Sequence, residues 1–372
     1  MRAPKKLTGP RVAVVGGGPA GLSAATDLAK LGYRVTIHEA APVAGGMLVL
    51  GIPEYRLPRY VVQAQVEAVV SLGVELKLDS RLGRDFRLRD LWEQDYSAVF
   101  LAIGAHRSRQ LRIEGASLDG VLHGVDFLLN ANLNYRVNLG RKVLVVGGGN
   151  VAVDVARSVL RFNGEEYMEP DRDLHAAIDA ARFALRMGAR EVSLVCLESR
   201  AEMPAFQDEV HEAEREGIMI QNSQGPKRIL GESGRVVGLE TIAVKSVFDN
   251  LGRFNPEFHP NTEKIIPAET VILAIGQTSD LSFIEPEDGL AVTSRGTIEV
   301  DPATLATSDP RVFAGGDVAF GPRNVIEAAA DGRRAAASIH QFLSGSSPAH
   351  SRSVKIAVFP PRGWERDPTY DS

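Results

Sequence analysis

The chain has 372 residues, 44% of them hydrophobic and 24% charged, with a formal net charge of −5; such values describe a globular protein of two or three domains with sizeable cores. The mild acidity offers no electrostatic footprint for nucleic acid, and no apolar run approaches the roughly 18 to 20 residues that a membrane helix needs. The opening MRAPKKLTGP leads into a strand without the apolar core of a secretory signal, so the cytoplasm is the expected compartment.

In chain order, Arg11–Val15 predicts a strand and Pro19–Lys30 a helix with Leu22, Ala25, Leu28 and Ala29 as its apolar stripe. Between them stands Gly16-x-Gly18-x-x-Gly21. In a dinucleotide-binding turn the first glycine makes the tight bend, the second admits a pyrophosphate to the backbone, and the third lets helix pack on strand. Pro19 and Ala20 open the helix, whose free N–H groups face the anion. Tyr33–Glu39 reads as the next strand, and Glu39, followed by Ala40, falls near the spacing of roughly 20 residues expected of a ribose-binding carboxylate.

The glycine- and proline-rich stretch Gly45–Pro58 predicts an ordered loop. An amphipathic helix over Arg59–Leu72 and the strand VELKL come next. DYSAVFLAIGAHRS then predicts a strand ending in Ala102-Ile103-Gly104.

A second glycine turn follows the apolar run that begins at Val143. It reads Gly147-x-Gly149-x-x-Ala152, with Asn150 and Val151 between. Its helix leads into RFNGEEYMEPDRD at Arg161–Asp173, which reads as a surface insertion that could contact a partner, and then into the helical pattern HAAIDAARFALRMG. The strand REVSLVCLESR carries Cys196 and ends at Glu198. A carboxylate there binds both hydroxyls of an unphosphorylated adenosine ribose and repels a 2′-phosphate, which points to NAD. Arg200, two residues on, leaves NADP open. ETVILAIGQTSD at Glu269–Asp280 then repeats the earlier strand, ending in Ala274-Ile275-Gly276. Glycine turn followed by LAIG strand thus occurs twice, the mark of two related parallel-sheet α/β domains.

Cys196 is the chain's one cysteine. It excludes an internal disulfide, a CxxC redox pair and a cysteine-ligated cluster held by this chain alone, and it predicts a small packed side chain. The eight histidines show no metal-ligand spacing, so no metal site is expected. RVFAGG predicts a late strand, Asp317 follows it, and an alanine-rich helix comes after. The residues beyond 345 read as a polar, proline-rich tail.

Several phrases together resemble the glutamate synthase small (beta) subunit family of FAD- and NAD(P)-binding oxidoreductases. They are GIPEYRLP at Gly51–Pro58, SRAEMPA at Ser199–Ala205, SVFDNLGRFNP at Ser246–Pro256 and VILAIGQ at Val271–Gln277; separately, AGGDV at Ala314–Val318 with the alanine-rich helix after it resembles the second FAD segment of two-dinucleotide flavoproteins. The resemblance spans roughly residues 8 to 345, in a short form without the family's cysteine-rich N-terminal domain. It implies two Rossmann-like domains: a discontinuous FAD domain at 1–106 and 279–345, an NAD(P) domain at 107–278, and a tail at 346–372. It also implies FAD contacts at Gly46, Met47, Arg56, Ala102–Gly104, Gly316 and Asp317, and at a helix beginning near Asn324, Val325 and Ala328. Nicotinamide contacts are implied at Asn150, Val151 and Ala274–Gln277. NADP-using members commonly carry Arg-Arg where this chain has Leu197–Glu198.

The resemblance further implies that FAD exchanges a hydride with the nicotinamide and single electrons with an iron–sulfur protein or subunit. The complexes in view handle glutamate, aldehydes, formate, hydrogen or aromatic acyl-CoA. A stand-alone diaphorase or quinone reductase needs no cysteine and stays open, as does a subunit holding FAD for structure alone. A thioredoxin-reductase activity would need the CxxC that is missing. No catalytic acid or base is expected, because hydride transfer asks for orientation.

Overall fold

The computed structural model describes residues 7–161 and 191–345. Most of the expected insertion at Arg161–Asp173, the helical pattern after it and the tail at 346–372 lie outside the described residues.

The first sheet has the order β16-β4-β1-β2-β3, built from β1 (Arg11–Val15), β2 (Arg34–His38), β3 (Glu75–Lys77), β4 (Tyr96–Leu101) and β16 (Val312–Ala314). All its pairings are parallel, with Val14 beside Ile37 on one side and Phe100 on the other. Alternation along β1 sends Val12 and Val14 to one face and Ala13 and Val15 to the other. The first face packs with Leu28 of α1 (Pro19–Lys30) and with Ala335 and Ile339 of α9 (Val325–Ser344). The second packs with Leu88 and Leu91 of α4 (Leu88–Glu93), with Leu290 and Ile298, and with Val318 of α8 (Asp317–Phe320).

The second sheet repeats the plan in the order β6-β14-β7-β8-β9. Its strands are β6 (Val121–His123), β7 (Lys142–Val146), β8 (Glu191–Val195), β9 (Met219–Gln221) and β14 (Thr270–Leu273). Strand β7 takes the place of β1, β8 that of β2 and β14 that of β4. The correspondence reaches single hydrogen bonds: Ala102 N–H donates to Val15 O and Ala274 N–H to Val146 O, both at 2.8 Å. One face is covered by α5 (Gly124–Asn132), α6 (Asn150–Arg161) and α7 (Gln207–Arg215), through Phe127, Val155, Val159 and Val210. The other is covered by an antiparallel sheet of β10 (Gln224–Glu232), β11 (Arg235–Phe248), β12 (Phe254–Phe258) and β13 (Lys264–Pro267), through Ile229, Val236 and Leu239.

Chain passes between the two sheets at a two-residue antiparallel pair, β5 (Arg107–Ser108) with β15 (Gln277–Thr278). The loop that follows β2 holds a short helix, α2 (Met47–Leu50), and the next helix is α3 (Arg59–Val70).

Several expected bounds need adjusting: β2 is Arg34–His38, so Glu39 follows it, and β4 and β14 end at Leu101 and Leu273, ahead of the two Ala-Ile-Gly triplets. Helix α3 stops at Val70 rather than Leu72, and β3 keeps only three residues of VELKL. Strand β8 ends at Val195, so Cys196 and Glu198 lie beyond it, in the segment that leads to α7. Ladder pairing sets that limit: Val195, opposite Val146 and Gln221, is the last paired residue.

Candidate dinucleotide sites

Each glycine turn is the end of a central strand bending into a helix. Gly16 (φ +110°) donates from its N–H to His38 O, and Gly147 (φ +145°) donates to Val195 O, each at 2.8 Å. A side chain at either position would collide with the neighbouring LAIG strand: a Cβ would stand 2.3 Å from Ala102 O at Gly16 and 2.3 Å from Ala274 O at Gly147. Glycine is therefore required in both turns.

The middle glycine of each turn faces a carboxylate. Glu39 Oε2 accepts from Gly17 N–H at 2.7 Å, and its Oε1 accepts from Ala41 N–H at 2.8 Å. Burial pushes the Glu39 carboxyl above its ordinary value, and these backbone bonds pull it back. In the second half, Glu198 Oε2 lies 2.5 Å from where a Cβ on Gly148 would be. Among the described residues the Glu198 carboxylate accepts no side-chain or backbone hydrogen bond, whereas its backbone O accepts from Ser223 N–H at 3.0 Å. The sites are thus alike in strand order and in the place of the acid, and differ in that Glu39 is hydrogen-bonded to its turn.

The remaining segments expected of the first site converge on the same turn. Gly45 N–H donates to Gly17 O at 2.8 Å, and Gly46 (φ +56°) packs on Gly18 Cα ahead of Met47. Gly104 also has positive φ, at +73°, just after Ala102 and Ile103. Gly316 lies beside Ala20, and Asp317 Oδ1 accepts from Arg323 N–H at 3.1 Å. Burial raises the Asp317 carboxyl. Helix α9 starts at Val325 as expected, where Asn324 acts as a cap, its side chain accepting from Glu327 N–H at 2.9 Å. Ala328 is buried one turn in.

At the second site the Asn150 side chain is used by the SRAEMPA loop, accepting from Phe206 N–H at 2.9 Å, while Ala205 N–H donates to Gly148 O at 3.1 Å. Val151 and Ala152 begin α6, with Ala152 fully buried, and Gly149 has open space where a side chain would be. Gly276 O, after Ala274 and Ile275, accepts from Arg109 N–H at 3.0 Å. Arg200 turns toward α7 instead of the turn, reaching Gln207 at 2.7 Å and Glu214 at 3.2 Å.

Arg56 is the largest departure from the expected contacts. Its guanidinium lies on Asp154 of α6, with Nη1 donating at 2.7 and 2.8 Å to the two carboxylate oxygens, so the side chain is committed to the second half. Burial raises the Asp154 carboxyl while Arg56 pulls it down; the same partner holds Arg56 above its ordinary value against the effect of burial. Asp331 was also unforeseen. It is 2% exposed, accepts from Gly316 N–H at 3.0 Å and pairs with Arg323, fixing the Gly316–Asp317 turn. Both acids interrupt apolar helical runs, VAVDVA and EAAADG, and a charge on such a face is a sign of a buried partner.

Two Rossmann-like halves, each with a glycine turn, an opposing carboxylate and a LAIG strand, define the class: an oxidoreductase fold for FAD and a nicotinamide dinucleotide. The turns leave backbone N–H groups at the starts of α1 and α6, which suits two pyrophosphates. The chain belongs to the pyridine nucleotide-disulphide oxidoreductase family, whose model matches residues 10–332, and within it to the group that includes the glutamate synthase small chains.

It is 46% identical, over 90% of its length, to the NADP(+)-dependent formate dehydrogenase subunit beta of Moorella thermoacetica, and 38% identical, over 91%, to the NADPH-Fe(3+) oxidoreductase subunit beta of Geobacter sulfurreducens. It spans about half the length of these two relatives, 44% and 51% respectively. The glutamate synthase [NADPH] small chain of Azospirillum brasilense is 33% identical over 94% of this chain and 70% of that one. Among solved structures, Mycobacterium tuberculosis FprA in complex with NADPH superposes with a TM-score of 0.75 at 20% identity, covering 91% of this chain and 85% of that one. The thioredoxin reductase of T. acidophilum gives 0.62 at 21% identity, covering 90% and 98%. At these identities the two structures speak for the fold. Among the described residues no helix is long and apolar enough to cross a membrane.

Proposed function

We propose that the chain binds FAD in its first half and NAD in its second, and works as the flavin subunit that links a nicotinamide to a separate iron–sulfur protein. The observation that carries this reading is the repeated pair of glycine turn and facing carboxylate, Gly17 with Glu39 and Gly148 with Glu198. When bound, FAD supplies the chemistry that converts a hydride into single electrons.

The chain's own residues bind and orient. The turn at Gly16–Gly18 and the start of α1 receive a pyrophosphate, and Glu39 receives the adenosine ribose hydroxyls. Gly46, Met47, Ala102–Gly104 and Gly316–Asp317 border the same turn, with Asp317 binding at the ribityl or pyrophosphate portion, where a ribityl hydroxyl donates to its carboxylate. The start of α9 offers its partial positive charge to the pyrimidine edge of the flavin. Gly147, Gly149, Asn150–Ala152 and Ala274–Gly276 take the corresponding parts for the nicotinamide dinucleotide.

Glu198 supports NAD, since its carboxylate would repel a 2′-phosphate, and Arg200 is directed at α7. The names of the relatives weigh toward NADP(H), which makes Glu198 the deciding residue. The proposed domains are residues 1–106 with 279–345 for FAD, 107–278 for the nicotinamide and 346–372 as a tail. The strands of each sheet fall within those limits. One cysteine cannot ligate a cluster alone, so the one-electron acceptor or donor is proposed to lie outside these 372 residues.

The test is NADH oxidation by the FAD-loaded chain with a ferredoxin or with a quinone as acceptor. Faster turnover with ferredoxin supports the electron-transfer subunit. Turnover with quinone alone supports the diaphorase reading, and none with either supports a structural FAD.

A further inference from the structure

The loop after β2 is anchored at both ends. At its start, Gly45 N–H binds Gly17 O and Gly46 packs on Gly18. Ten residues later it lies across α6 and α7 of the other half. There Arg56 Nη1 holds Asp154 through two hydrogen bonds, and Nη2 lies 3.3 Å from Glu209 Oε1. Tyr55 is stacked under Arg161, whose guanidinium carbon is 3.8 Å from the ring centroid. Arg157 and Arg161 are in turn held by Glu216 at 2.8 and 2.6 Å. Asn132 Nδ2 adds a hydrogen bond to Leu50 O at 2.9 Å.

Asp154 belongs to the second turn of α6, the helix that begins at the second glycine turn. A short mechanical path therefore joins the two candidate sites: Gly17 to Gly45, along the loop to Arg56, across to Asp154, and back along α6 to Gly149. The covalent crossover is a pair of two-residue strands, β5 and β15, which constrains twist weakly. The ion pair is the stiffer element. The Asp154 side chain is 8% exposed and that of Arg56 25%, and separating a pair so little hydrated is far costlier than separating a surface pair.

We propose that the Arg56–Asp154 pair is the clasp that sets the separation and angle of the two dinucleotide sites, making both residues positioning residues for hydride transfer. The proposal rests on the two-dinucleotide function given above. Its expected effect is large because transfer between bound reactants is steep in geometry: a misplacement of about 1 Å can cost roughly a hundredfold in rate. Neither residue has to touch a reacting atom.

The experiment compares the wild-type chain with Asp154→Asn and with the charge swap Arg56→Asp/Asp154→Arg. It measures FAD content, NADH binding, the single-turnover rate of flavin reduction, and hydrogen exchange at residues 51–58 and 150–161. Asp154→Asn should keep FAD, bind NADH within about threefold of wild type, reduce flavin roughly ten- to a hundredfold more slowly and exchange faster in both segments. The swap should recover most of the rate and protection. Unchanged rate and exchange in Asp154→Asn, or a swap no better than Asp154→Asn while FAD is retained, overturns the clasp. Should Asp154→Asn not fold, Glu209→Gln removes the outer partner and should move rate and exchange the same way by less; no change in either then overturns the proposal. A wild-type chain whose FAD neither nicotinamide reduces defeats the two-dinucleotide reading instead, while the exchange comparison still judges the clasp.

Discussion

The Gly17 N–H donates a hydrogen bond of 2.7 Å to the carboxylate of Glu39, so the acid that closes the first β-α-β unit is fixed on the glycine turn itself. Glu39 is 7% exposed and accepts a second backbone bond from Ala41. In the proposed FAD site this acid would receive the ribose beside the pyrophosphate turn, with little side-chain freedom left to lose. Glu39→Ala removes both the anchor and the acceptor. We expect the variant to purify with at least about tenfold weaker FAD retention, by the loss of charged hydrogen bonds, read from the flavin-to-protein ratio after gel filtration.

Glu198 holds the equivalent place beside Gly148; its backbone O accepts from Ser223 N–H and Asn222 Nδ2, while its carboxylate accepts no hydrogen bond among the described residues. Glu198→Arg replaces a group that repels a 2′-phosphate with one that pairs with it. The ratio of kcat/KM for NADPH over NADH should rise at least about tenfold, a difference of roughly 1.4 kcal/mol. Unchanged relative kinetics would remove Glu198 from the specificity argument.

Asp331 ties the turn that carries Asp317 to the interior of α9 through Gly316 and Arg323. Asp331→Ala leaves a partly buried guanidinium unpaired and a backbone N–H unsatisfied. Stability should fall by about 2 to 4 kcal/mol, measured by denaturant unfolding, and FAD retention should fall with it. Asp331→Asn keeps the acceptor for Gly316 and should lose less.

His38 is 4% exposed, packed on Phe86 at 4.7 Å between ring centroids, with Nδ1 at 3.0 Å from Ser80 Oγ. Burial, aided by Lys77, lowers its pKa to about 4 from 6.5. Above pH 6.5 the imidazole is neutral both folded and unfolded. As pH falls through the interval from 6.5 to 4 the unfolded chain takes up a proton that the folded chain refuses, so stability drops, and below 4 the loss levels off. The full loss from this group is about 3 kcal/mol. His38→Leu should flatten the stability profile between pH 6.5 and 4, as measured by unfolding at several pH values; an equal slope in both proteins would clear His38 of the acid sensitivity.

Cys196 is 2% exposed, its thiol donating toward Glu198 O at 3.5 Å and accepting from Asn222 Nδ2 at 3.2 Å. Burial and then the Glu198 charge push its pKa up to about 11. At pH 8 only about one thiol in a thousand is then ionised. A thiol-reactive dye should leave the folded chain unlabelled for far longer than it leaves the unfolded chain, where the single cysteine reacts at the ordinary rate.

Much of this organisation could be read from the sequence because it is local. Both glycine turns, their strands and helices, Glu39 and the start of α9 at Val325 depend on residues within one β-α-β unit. The antiparallel sheet β10–β13 was not read from the sequence, since its register comes from pairings such as Leu239 with Ile266 rather than from an apolar period. The partner of Arg56 was out of reach for the same reason. Asp154 is 98 residues away, and nothing in GIPEYRLP indicates which half of the molecule the guanidinium meets. The resemblance placed Arg56 in a loop next to FAD; the fold shows that this loop also grips α6. Asp154 and Asp331 were detectable in principle as acids on apolar helix faces, but their partners come from other segments of the chain.

The central claim is that one chain brings a nicotinamide to its own FAD. Anaerobic mixing of the FAD-loaded chain with NADH, without any partner protein, tests it most directly. The account predicts loss of the oxidised flavin absorbance in a single turnover, faster with NADH than with NADPH. Flavin that stays oxidised with both nucleotides, in a chain that demonstrably holds FAD, would contradict it.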